Sequence, residues 1–133
     1  MRQLFILREP ENKISVPSDL FKNIKKINID YLQENSLLFC LNTKNQILHS
    51  EVVFKGGLNA CSIDLKTIYR IALKHNSCSI ILAHNHPSGS LTPSPDDEKI
   101  YEATKKAGEI IDIKCLDSII FNEKEFISIN EVA

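Results

Sequence analysis

Cys78-Ser79-Ile80-Ile81-Leu82-Ala83 runs straight into His84-Asn85-His86-Pro87-Ser88-Gly89. The first six residues are nearly all apolar, which fits a strand buried on both faces and therefore a sheet covered on two sides. Pro87 and Pro93 bar further pairing, so a loop follows. Ser94 then offers a helix cap, with Pro95 at the first helical position and Asp97 in the first turn. The apolar residues Ile100, Ala103 and Ala107 lead to an expected stop at Gly108.

Upstream, Ser36-Leu37-Leu38-Phe39-Cys40-Leu41 is a second apolar run of strand length. Asn42-Thr43-Lys44-Asn45 supplies turn chemistry, and residues 46–54 return as the other arm of a hairpin, closed by Gly56-Gly57. From Leu65 the apolar positions Leu65, Ile68, Tyr69, Ala72 and Leu73 mark an amphipathic helix whose opposite side carries Lys66, Arg70 and Lys74. Nearer the start, Leu4–Leu7 reads as a short strand. Ser18 is placed to cap a helix over Asp19–Lys26, with Leu20, Phe21 and Ile24 on one side and Lys22, Lys25 and Lys26 on the other. The tail offers three strand candidates, Ile110–Lys114, Leu116–Phe121 and Phe126–Ile129. Strands interleaved with helices on a buried sheet predict a single α/β (α+β) domain, a mixed sheet sandwiched by helices.

With 133 residues, 43% hydrophobic and 25% charged, the chain has enough apolar surface for one core and is not of disordered composition. A formal charge of -1 excludes the basic excess of a dedicated nucleic-acid binder. No apolar run approaches membrane-spanning length and the first residues lack a signal-peptide core, so a cytoplasmic protein is expected. Cys40, Cys61, Cys78 and Cys115 show no metal-type spacing and read as reduced, structural thiols.

The chemistry-bearing residues cluster after the central strand. Residues i and i+2 of a strand share a face, so His84 and His86 present two imidazoles together, roughly 7 Å apart along the chain. Either Asp96 or Asp97 can return a carboxylate to them. Two His and one carboxylate suit zinc with a fourth position free for water. The same letters also permit a plain structural reading, with the histidines closing a strand end and Ser94 to Asp97 forming a capping box.

Together, His84, His86, Ser94 and Asp97 match H-x-H, seven residues, then S-x-x-D, and this resembles the JAMM (MPN, JAB) metallo-hydrolase motif. The surrounding letters, residues 81–89, Pro93-Ser94, Asp97 and Leu116-Asp117, resemble the JAMM-like domain of the RadC family. Residues 34–42 and Gly57-Leu58-Asn59 fall in the same order. The resemblance implies a cytidine-deaminase-like fold over residues 31–133, with residues 1–30 as an N-terminal strand and helix extension packed on it. It implies one zinc per chain held by His84, His86 and Asp97, with Ser94 orienting water or an oxyanion and Glu34 as general base. Asp96 then serves only as favourable charge at a helix N-terminus.

The implied activity is hydrolysis of peptide or isopeptide bonds in a protein or peptide tail, without a membrane role. The competing reading is a DNA-repair-associated or nucleic-acid-binding accessory protein with a structural or vestigial metal site, using Lys22, Lys25 and Lys26 or Lys66, Arg70 and Lys74 on phosphates. Relatives usually carry His-Pro-Arg where this chain has Asp64-Leu65-Lys66, and Leu-Asp-His where it has Leu116-Asp117-Ser118. The helical domain that commonly precedes the RadC domain is expected to be lacking, since about 30 residues precede the matching region. His49 and His75 lie outside the motif and read as structural.

Overall fold

The computed structural model describes residues 12–56 and 64–132; the strand expected over Leu4–Leu7, Cys61 and Gly57-Leu58-Asn59 lie outside the described residues. The elements run α1 (Pro17–Ile24), β1 (Asn35–Leu41), β2 (Ile47–Lys55), α2 (Leu65–Lys74), β3 (Ser79–Asn85), α3 (Pro95–Ile111), β4 (Lys114–Phe121), β5 (Phe126–Ser128) and α4 (Ile129–Val132). They form one mixed sheet of order β2-β1-β3-β4-β5, in which β3 and β4 pair in parallel and the other neighbours are antiparallel.

The central strands are apolar because both of their faces are covered. Leu38, Cys40, Ile80 and Leu82 pack with Ile68, Tyr69 and Ala72 of α2 and Tyr101 of α3. Their neighbours Leu37, Phe39, Leu41, Ile81 and Ala83 point the other way and pack with Leu20, Phe21 and Ile24 of α1. The result is the expected α+β sandwich, helix on sheet on helices. Strand alternation also carries forward to the end of β3: His84 falls on the α2 and α3 side, Asn85 on the α1 side.

Several local expectations are corrected. Helix α1 starts at Pro17, with Val16 rather than Ser18 at the cap position. The Asp19 carboxylate accepts from the Ser15 and Val16 N–H groups at 2.8 and 3.0 Å, so an acid inside the first turn takes the work assigned to a serine. Helix α3 runs through Gly108 and ends at Asp112, a left-handed residue at φ 66. Gly108 is there for close approach: a Cβ would collide with the Ile113 carbonyl oxygen and lie 2.7 Å from Tyr69 Oη. Ile110 and Ile111 are therefore helical, and the first of the three tail strands does not exist; the strand begins at Lys114. Within α2, Ile71 is buried and Leu73 is exposed, the reverse of the strict spacing. Cys40 and Cys115 are buried thiols, whereas Cys78 precedes β3 and is exposed.

Candidate metal centre

The carboxyl end of β3 delivers His84 and His86 to the amino end of α3. There Ser94 and Asp97 cap the helix reciprocally: Asp97 N–H donates to Ser94 Oγ at 3.1 Å, and Ser94 N–H donates to Asp97 Oδ2 at 2.7 Å. The cap fixes the Asp97 carboxylate between the two imidazoles. Asp97 Oδ1 lies 2.8 Å from His84 Nε2 and Asp97 Oδ2 lies 2.9 Å from His86 Nε2, with the rings tilted by 57° and 5.1 Å apart. Asp96 is exposed and remains outside this triangle, as a charge in the first turn of α3.

Two features of the triangle are compatible with a bound cation. His84 is 7% exposed, and its Nε2, although close to Asp97, makes no aligned hydrogen bond. His86 Nδ1 lies 2.9 Å from the Ser90 carbonyl oxygen, which can only accept, so Nδ1 carries a proton and Nε2 is the nitrogen turned to Asp97 Oδ2, 2.9 Å away. Either a proton on Nε2 or a cation in its place satisfies this contact with the carboxylate. The supporting turn depends on Gly89, which at φ 80 adopts a left-handed conformation while its N–H donates to the His86 carbonyl at 2.8 Å, returning Ser90 to the ring. Burial works to raise the pKa of Asp97, but the His84 imidazole and the Ser94 N–H outweigh it and hold the carboxyl well below the usual range.

Glu34 arrives from the neighbouring strand. In the β1 and β3 register Ser36 lies opposite His84, so the residue just before β1 comes to the same end of the sheet. Asn85, fully buried between the two histidines in sequence, clamps that segment from the α1 side. Its Oδ1 accepts from Asn35 N–H at 2.8 Å and its Nδ2 donates to the Gln33 carbonyl at 2.9 Å, which fixes the backbone on both sides of Glu34. The Glu34 carbonyl in turn accepts from Gly56 N–H at 2.7 Å. Sequence reasoning missed Asn85; its signal was a polar side chain alternating onto the packed face of a buried strand, where it must find partners.

Glu34, His84, His86, Ser94 and Asp97 all line one cavity of about 420 Å³, whose apolar wall is Leu37, Phe54, Leu82 and Ile100. Ser94 Oγ is occupied as an acceptor by the cap but keeps its O–H to donate. Ser118, at one departure from the family resemblance, lines the same cavity. Its neighbour Asp117 turns away and accepts from Ser118 N–H, Ser128 Oγ and Asn130 N–H, tying β4 to β5 and α4. Asp64, at the other departure, caps α2 by accepting from Thr67 N–H at 2.7 Å. Lys66, Arg70 and Lys74 are exposed on α2, and His49 and His75 lie outside the cavity wall. Among the described residues no helix is long and apolar enough to cross a membrane.

A family model described as RadC-like JAB domain matches residues 14–133. A UPF0758 protein of Clostridium perfringens is 42% identical over 123 residues, which are 90% of this chain and 52% of that protein. A UPF0758 protein of Listeria monocytogenes is 36% identical over 131 residues, 98% of this chain and 58% of the relative. One from the archaeon Methanosarcina barkeri is 35% identical over 125 residues, with shares of 94% and 55%. The chain thus spans about half the length of the curated relatives it matches.

Proposed function

Since this chain belongs to the RadC-like JAB domain family, we propose that it is a zinc-dependent hydrolase of peptide or isopeptide bonds. The observation that carries this reading is the buried His84 Nε2 without an aligned hydrogen bond, beside a His86 whose other nitrogen is committed to Ser90 and a carboxylate fixed by a helix cap. Those donors, two imidazole nitrogens and one carboxylate, fit zinc with a position left for water or substrate.

In this reading His84, His86 and Asp97 hold the ion, which supplies Lewis acidity and lowers the pKa of water at the site towards about 7. Glu34, its backbone pinned by Asn85, takes a proton from the attacking water and returns it to the leaving amine. Ser94 donates its O–H to the oxygen of the substrate carbonyl as negative charge gathers there. Leu82, Phe54 and Ile100 offer apolar contact to a substrate side chain. Among the described residues the titratable groups in the cavity wall are Glu34, His84, His86, Asp96 and Asp97, with no Lys or Arg. A wall without fixed cations suits a peptide tail better than a phosphodiester backbone, so the nucleic-acid reading is the weaker one.

The test is a library of peptides and lysine-linked isopeptides, with products read by mass spectrometry. Cleavage by the wild-type chain is expected to stop with a chelator and to fall by about 10²–10⁴ in Glu34→Gln. Undiminished cleavage by Glu34→Gln contradicts the assignment of the base, and cleavage that survives removal of the metal contradicts the mechanism.

A further inference from the structure

A second set of metal-ligating side chains lies outside the cavity wall. His49 and Glu51 stand two residues apart on β2 and so share a face, the one that packs toward α2. His75 ends α2 at its cap position, held by its own N–H donating to the Ile71 carbonyl at 3.1 Å. His49 Nε2 is 2.7 Å from Glu51 Oε1, and the His49 and His75 rings stack 3.7 Å apart at an interplanar angle of 8°. One ligand atom from each of the three residues falls within 4.8 Å of the others, and all three residues are half-buried, within reach of solvent.

We propose that His49, Glu51 and His75 form a second binding site for a divalent transition-metal cation such as zinc. Two imidazoles and one carboxylate prefer zinc, cobalt, nickel or copper over magnesium and calcium, which favour all-oxygen sets. The site is distinct from the cavity. His49 pairs with Cys40 and His84 pairs with Ser36, four residues apart along β1, or about 13 Å. Nearly parallel rings aim their lone pairs side by side, so a shared ion requires them to fan apart by rotation about χ2, a soft torsion for histidine. The consequence is structural. Among the described residues β2 pairs along its length with β1, with Ile47 N–H also donating to the Asn12 carbonyl at its start, and a metal here staples its middle to the end of α2. This inference is independent of the proposed hydrolase activity.

The test uses the full chain carrying His84→Ala and Asp97→Ala, which silences the cavity ligands. Cobalt titration followed by visible absorption, and zinc titration by calorimetry, are expected to show about one equivalent bound, and zinc is expected to raise the thermal unfolding midpoint. Adding His49→Ala or His75→Ala is expected to weaken binding by about tenfold or more and to abolish the rise. No binding by the silenced chain, or binding unchanged by the added substitutions, overturns the proposal. Should the silenced chain fail to fold, the wild-type chain gives the same decision: pairing His49→Ala with His75→Ala must remove about one equivalent of the zinc bound, and an unchanged stoichiometry overturns the site.

Discussion

Asn85 holds the backbone on both sides of Glu34 with one side chain. In Asn85→Ala the buried Asn35 N–H loses its acceptor, a loss of about 1–3 kcal/mol in unfolding free energy. Glu34 is freed at the same time, so zinc content is expected to stay and turnover to fall. Denaturant melts, metal analysis and a kcat against KM comparison on the same preparation check all three. At this scale much of the site was legible in the sequence. The i, i+2 rule put His84 and His86 together, and the S-x-x-D cap placed Asp97 within reach of them. Asp96 and Asp97 could not be separated by residue type, and the cap geometry explains why Asp97 is the one that reaches the two imidazoles. Glu34 came from the family resemblance alone, because its approach depends on a strand register that no local pattern encodes.

The elements show where local rules were overridden. The start of α1 follows the Asp19 carboxylate rather than a serine hydroxyl, and this gives a pH signature. The hydrogen bonds from Ser15 and Val16 N–H hold the Asp19 pKa below its ordinary 3.8. A lowered folded pKa means a contribution complete above the unfolded value and lost as pH falls through the folded one. The stability difference between wild type and Asp19→Asn is therefore expected to be flat near neutrality and to shrink below about pH 4. Melts across pH 2–7 measure it, and a difference that grows on acidification is the opposite sign. Gly108 makes the second case. It was read as a helix stop because glycine is a weak helix former, yet the helix passes through and glycine is required by the close approach of Ile113 and Tyr69. Gly108→Ala should cost about 1–3 kcal/mol by overpacking, whereas the same substitution at an uncrowded mid-helix glycine would stabilise by about 1 kcal/mol. An unfolding midpoint equal to or above that of wild type contradicts the close approach.

At the scale of the whole molecule, the α+β sandwich was legible because continuous apolar runs demand cover on both faces. Strand order was not, since antiparallel β1 and parallel β4 flanking β3 are pairings between distant segments. That order puts the end of β3, the start of β1 and the start of α3 at one place, and the cavity lies there. In the proposed reading this place binds one metal ion through His84, His86 and Asp97, with Glu34 beside it but not on it. The most direct test is zinc retained per chain after exhaustive dialysis, measured by elemental analysis in a His49→Ala background that removes the other ligand set. About one zinc per chain is expected, none after adding His84→Ala or Asp97→Ala, and about one after adding Glu34→Gln. Zinc retained without Asp97, or lost with Glu34→Gln, contradicts it.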